Sequence, residues 1–213
     1  MMTGELNFGA EMAYGHWRTV IFSALTWTLV IYYVIRPRAF QEIWRFALLC
    51  AFLIDEFVEL YGYPLTLYIF LDNLVQHPAA HMLSHQAGDL WRILFNVGTR
   101  YEAFDFFHLI AGVFIFGGLI ALYYAFTVLR ASLESGSPAT IGPYRWVRHP
   151  QYLALFSILL GYVIQGPTLI TLLLFPALIY SYVSLARKEE QAALKTFGHA
   201  YRNYLEHTPG FLR

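Results

Sequence analysis

The residues best suited to chemistry gather in two short runs. The first, Gly142 to Tyr152, reads GPYRWVRHPQY and sets Tyr144, Arg145, Arg148, His149 and Tyr152 around Pro150. Proline suits the first position of a helix, where its missing N–H is not needed, so a helix is expected to start at Pro150. The N–H groups of Gln151 to Leu153 would then stand free at its N-terminus, where a nearby arginine makes the place attractive to an anion. His149, just before that start, can donate or accept hydrogen bonds. The second run, Arg187 to Tyr204, reads RKEEQAALKTFGHAYRNY. Helical spacing places Glu190, Leu194, Phe197 and Tyr201 on one stripe, and turns Glu189 toward Ala193, Thr196 and Ala200. A carboxylate on an apolar stripe is partly desolvated, which is costly unless it meets a cation or hydrogen-bond donors. Together the two runs have the chemistry to hold a polar, charged cofactor while a lipophilic substrate arrives from a bilayer. The plainer alternative is that Arg145, Arg148 and Tyr152 anchor a helix among lipid headgroups, with the glutamates a solvated pair.

The elements that must carry these runs are hydrophobic helices. The chain has 213 residues, 58% hydrophobic and only 13% charged, against about 25% charged in soluble domains. A membrane span needs about 20 mostly apolar residues. Candidates are 17–35, 43–71 (interrupted by Asp55, Glu56 and Glu59), 104–129, and two further arms between Tyr152 and Leu185. Gly166-Pro167 breaks that last stretch, since proline cannot continue the ladder and glycine permits a sharp reversal; a tight helical hairpin is expected. The fold class is therefore all-α, a polytopic membrane helical bundle of about five transmembrane helices including the C-terminal hairpin, plus a cytoplasmic C-terminal helix.

Charge sets the expected orientation. Lysine and arginine favour cytoplasmic loops. With the N-terminus outside and five spans, segments 36–45, 130–150 and 186–213 lie inside and hold eleven of them, against three outside: Arg18, Arg92 and Arg100. Both chemical runs then fall on the cytoplasmic side, with the C-terminus. The long connection 72–103 lies outside and is expected to hold an amphipathic surface helix around 79–97. The N-terminus, with Glu5 and Glu11 rather than a basic stretch, does not read as a signal peptide. A net charge of zero offers no support for a nucleic-acid partner.

Other polar groups are weighed against this frame. His77, His81, His85 and Asp89 recur every four residues, a spacing compatible with a metal pair on a helix. Pro78 and a location opposite the cytoplasmic runs favour a polar surface face instead, and no metal is expected. Asp55, Glu56 and Glu59 interrupt a span, where charged groups are rare and usually functional; a substrate or structural hydrogen-bonding role stands beside an interfacial one. The single cysteine, Cys50, excludes an internal disulfide and reads as a small buried hydrophobe. No repeat is visible, and the one linker-like stretch is 134–139.

The frame GPY-x-x-VRHP-x-Y followed by EE-x-x-x-L-x-x-FG-x-x-Y-x-x-Y resembles the isoprenylcysteine carboxyl methyltransferase family, in a superfamily that includes phospholipid and methanethiol methyltransferases. The resemblance covers about residues 104–213, the family-like core, and leaves 1–103 as variable N-terminal spans and outer loop of a single domain. Residues 59–66 and 84–91 look like a bacterial branch, so a bacterial or archaeal cytoplasmic membrane is expected. The resemblance implies S-adenosylmethionine as methyl donor, bound by Tyr144, His149, Pro150 and Tyr152 and by Glu189, Glu190 and Tyr201 of the C-terminal region, with Arg148 and Glu190 as catalytic candidates. Membrane lipids and a lipophilic or small-molecule acceptor would be its partners. The chemistry implied is in-line displacement at a sulfonium methyl by a carboxylate, thiol or amine. One departure is visible: the family often has an arginine four or five residues before the paired glutamates, where this chain has Ser184 and Leu185, with Arg187 nearer. Two rivals stand apart from this reading. One is a non-enzymatic transporter subunit or scaffold. The other is a related NADPH-dependent reductase, whose motif lacks the GPY and P-x-Y frame.

Overall fold

The computed structural model describes residues 15–35, 40–62, 65–66 and 106–211. Among them every regular element is helical: α1 (Trp17–Ile35), α2 (Phe40–Phe57) continuing into a π-helical turn (Val58–Gly62), α3 (Phe106–Glu134), a 3-10 turn (Gly142–Arg145), α4 (Pro150–Gln165), α5 (Leu169–Phe197) and α6 (His199–His207). The outer-loop helix and the histidine stripe of the sequence reading lie outside the described residues.

Two helices, α3 and α5, each of 29 residues, are long and apolar enough to cross a membrane; α4 is apolar but shorter, at 16 residues. Large side chains along α3 face outward, with Phe116 68%, Ile120 71% and Tyr123 77% exposed. Such a surface is expensive in water and natural against lipid tails. The expected hairpin is present as α4 and α5, with 166–168 between them.

The chain divides into two compact units, Met1–Asp105 with Val163–Leu178, and Phe106–Tyr162 with Ile179–Arg213. In the first, Val20, Leu49, Phe52 and Leu53 are buried with Cys50. The acids of α2 serve a helix start there. Thr168 and Thr171 exchange hydrogen bonds in a capping box, each hydroxyl accepting from the other's N–H. The Thr168 hydroxyl bonds Asp55, the N–H of Leu169 donates to the Thr66 hydroxyl oxygen, and Thr66 in turn donates to Glu59 from both its N–H and its hydroxyl. Two carboxylates thus sit at the positive end of α5, where negative charge is favoured.

In the second unit, α3 and α4 pack at two glycines. A Cβ on Gly118 would fall 2.6 Å from Ile158 Cγ1 and 2.8 Å from the Ala154 carbonyl oxygen; one on Gly161 would fall 2.6 Å from Ile115 Cγ1 and 2.9 Å from the Ala111 oxygen. Only hydrogen fits at either place, and small residues of this kind let membrane helices approach closely. Below this crossing, Ala125 and Val128 of α3 bury Tyr144 of the 3-10 turn, which fixes that turn beside the start of α4.

Candidate functional site

Pro150 is the first residue of α4, and the residues just before it form the centre of the site. The N–H groups of both Tyr152 and Leu153 are taken by the carbonyl of His149. The free anion-binding turn expected from the sequence is therefore largely closed by the helix's own hydrogen bonding. Much of the Arg148 guanidinium is taken as well. Its Nε donates to Glu190 at 2.7 Å, and its Nη1 donates to the carbonyls of Leu205 and Thr208. The guanidinium caps the C-terminal end of α6, a favourable place for a cation, and joins it to α5.

Glu190 accepts on the same oxygen from His149 Nε2, at 2.9 Å. An acceptor shared with an arginine is a carboxylate, so the neutral His149 ring carries its hydrogen on Nε2 and a lone pair on Nδ1. That Nδ1 is buried without a hydrogen-bond partner, and Glu189 Oε2 stands 3.9 Å away. Burial pushes the His149 imidazole below its ordinary value of 6.5, against the opposing pull of Glu190. Tyr152 donates its hydroxyl to Glu189 at 2.6 Å. The two adjacent glutamates therefore differ sharply: Glu190 is 18% exposed between Arg148 and His149, while Glu189 is 45% exposed.

The stripe drawn from Glu190 to Tyr201 is not one continuous helix. The helix stops at Phe197, and Gly198, with φ +55°, turns the chain into α6. Tyr201 is buried on that separate helix, and burial, with the Glu190 charge, pushes its phenol up to about 12. Its ring tilts against Tyr204, whose hydroxyl donates to the carbonyl of Tyr144. Burial raises both phenols, Tyr144 and Tyr204, as well, so all three remain hydrogen-bond donors at neutral pH. Tyr144 spends its hydroxyl on the Gln151 side chain. Arg148, His149, Tyr152, Glu189 and Glu190 thus converge, Pro150 lies buried at the helix start beside them, and Tyr144 and Tyr201 are buried within reach of the glutamates' charge. Arg145 and Arg187 are exposed.

Sequence reading missed the residues after α6. Arg148 N–H donates to the carbonyl of Pro209 and His149 N–H to that of Gly210. The Phe211 ring stacks with His149 at 5.4 Å and with Phe156 at 6.2 Å between centroids. Pro209-Gly210 is a turn signal, but nothing local to it tells where the returning chain lands.

Fold and site together define a class: a helical protein of the membrane kind, with a histidine and two carboxylates gathered where helices begin and end. Residues 106–196 match the model of the isoprenylcysteine carboxyl methyltransferase (ICMT) family, the family that the motifs resemble. The matched family is one of membrane methyltransferases. No curated protein and no solved structure matches the chain. The matched segment contains the whole acid–histidine cluster, while α6 and the Pro209–Phe211 return lie beyond it. The side chains of the cluster fit S-adenosylmethionine in one respect that the structure displays. An orphaned, buried imidazole nitrogen and a partly exposed carboxylate are acceptors, and they suit a ligand with positive charge and hydrogen-bond donors.

Proposed function

We propose that this protein transfers the methyl group of S-adenosylmethionine to a lipophilic or small membrane-permeant acceptor (a carboxylate, thiol or amine) at the cytoplasmic face of the membrane. One observation carries the reading: the segment matched to the methyltransferase family, 106–196, holds the residues whose side chains meet in a single cluster, Arg148, His149, Tyr152, Glu189 and Glu190. The fuller arrangement proposed is five spans with the N-terminus outside and the C-terminus cytoplasmic, in a bacterial or archaeal membrane, and its support is the eleven-to-three distribution of lysine and arginine.

When bound, S-adenosylmethionine supplies an electrophilic methyl carbon on a positively charged sulfur. Glu189 and His149 Nδ1 are the residues that would hold its ammonium or hydroxyl groups. Glu190, fixed by Arg148, orients the His149 ring and sets which nitrogen carries hydrogen. The main contribution of such a site is alignment and exclusion of water. A carboxylate acceptor attacks without further help. An amine or thiol must release a proton, and where Glu189 alone holds the donor, the Nδ1 lone pair of His149 is left as a base suited to take it.

Calorimetric titration of the purified protein with S-adenosylhomocysteine tests the donor; binding is expected, and none would return the cluster to headgroup anchoring. Methyl transfer from labelled donor to a prenylcysteine analogue, to phosphatidylethanolamine and to a small thiol then identifies the acceptor class.

A further inference from the structure

The return of the chain after α6 is a feature that the reaction does not account for. Residues Thr208 to Phe211 do not trail away. Two backbone hydrogen bonds, at 2.9 and 3.2 Å, tie Pro209 and Gly210 to Arg148 and His149. Arg148 also grips the strap from its guanidinium side through the Thr208 carbonyl. Gly210 lies close against the cluster: a Cβ would stand 3.1 Å from Arg148 Nη2, a tight approach, and 3.7 Å from the Glu190 oxygen that also binds His149. The consequence of this anchoring is the place of Phe211. Its ring lies within 29° of parallel to His149, which stacks in turn with Tyr152 at 5.7 Å and 23°.

We infer that Phe211 is a positioning residue, which holds the His149 ring in register with Glu190 by stacking on it, and that the strap Thr208–Phe211 is part of the active site although it lies outside the family-matched segment. This inference rests on the methyl-transfer reading above. The physical ground is the freedom of an imidazole. The Nε2 bond to Glu190 fixes one edge of the ring, but a single hydrogen bond leaves rotation about its axis open. Flat contacts on the ring close that freedom and keep water off it. His149 is 4% exposed on its side chain, and among the described residues Phe211 is one of the two rings that stack with it. Arg148, on this account, latches the strap and does not touch the substrate.

The test uses full-length protein in detergent with three variants, Phe211→Ala, Phe211→Leu and Phe211→Trp. Two quantities are read: affinity for S-adenosylhomocysteine across pH, and the titration of His149 followed by NMR without ligand. Loss of the ring should weaken the affinity about tenfold in the Ala variant, with tryptophan restoring most of it. The His149 midpoint should rise toward its ordinary value in the Ala and Leu variants, because water reaches a ring that Phe211 had shielded. The groups around it, Glu189, Glu190, Arg148 and Tyr152, are unchanged in every variant. Should Phe211→Ala unfold the protein, Phe211→Leu keeps apolar bulk without a flat ring and carries the test. Wild-type affinity together with an unmoved His149 titration in a ring-less variant would overturn the inference, whatever happens to thermal stability. Wild-type protein that binds no S-adenosylhomocysteine would instead sink the methyl-transfer reading, and the ligand-free titration would still decide whether Phe211 positions His149.

Discussion

Glu189 and Glu190 carry the same side chain one residue apart, yet they meet different surroundings. Glu190 accepts from Arg148 and His149 on one oxygen, and Glu189 accepts from Tyr152 while nearly half exposed. Glu190→Gln leaves Arg148 without its charge partner and His149 without its anionic acceptor. It should cost about 1–3 kcal/mol of stability, less than a fully buried pair because solvent still reaches this one, and at least a tenfold drop in methyl-transfer rate at saturating donor is expected. Glu189→Gln keeps an acceptor for Tyr152 and should cost about 1 kcal/mol or less, with most of the rate retained. Equal, mild effects in both variants would make the pair an ordinary solvated face. His149 gives a second measurement. Its folded value lies below 6.5, so between that value and 6.5 the unfolded chain binds more protons than the folded one. The stability due to its neutral state is complete above pH 6.5 and is lost as pH falls through this window. The gap in melting temperature between wild type and His149→Gln should therefore narrow on acidification. A widening gap would mean that a protonated ring bridges both glutamates.

Among the elements, the α3–α4 crossing makes a sharp comparison possible between adjacent residues. Gly118 lies against the Ala154 carbonyl and Ile158, whereas a Cβ on Gly117 would meet nothing within 4 Å. Alanine has the better helix propensity by about 1 kcal/mol, so Gly117→Ala should leave the melting temperature unchanged or raised. Gly118→Ala must push apart a helix backbone as well as a side chain, and overpacking of that kind costs about 1–3 kcal/mol. A melting temperature for Gly118→Ala at or above that of Gly117→Ala would show that the helices do not cross as described. The break between α5 and α6 is also an element-scale decision. Gly198 takes φ +55°, where a side chain is strained, and the turn it allows starts the separate helix α6 on which Tyr201 is buried. The acids of α2 belong here too. Asp55 and Glu59, costly in a span, are spent on the threonines that start α5.

For the molecule as a whole, the testable quantity is orientation. The proposed arrangement, drawn from the distribution of lysine and arginine, has the C-terminus inside and the connection 72–103 outside. Reporter fusions after Arg213 and near Gln86 should therefore answer from opposite sides of the membrane. The same side for both would remove the five-span arrangement. The histidines of that connection are expected to be dispensable: His81→Ala with His85→Ala should leave methyl transfer largely intact, and stoichiometric metal lost together with activity in this double variant would give them a role.

The hairpin, the helix start at Pro150 and the inward turn of Glu190 were legible in the sequence because each has a local cause. Gly166-Pro167 combines two helix breakers, proline fits a first helical position, and periodicity of 3.6 separates Glu190 from Glu189 before any contact is known. The motif frame was likewise legible, since its residues are read in order along the chain. What the tertiary structure alone decided is which groups are already taken. Arg148 looked free to meet an anion, yet its Nε and Nη1 donate to Glu190, Leu205 and Thr208, which lie 42, 57 and 60 residues away. The N–H groups at the start of α4 looked open, and the His149 carbonyl closes two of them. Phe211 carried no local signal at all, because its partner, His149, is reached only after the chain has turned at Gly198 and again at Pro209-Gly210. Side-chain identity and spacing express propensity, which is local. Occupancy of a donor or a ring face depends on what the rest of the chain brings to it, and that is settled only by packing.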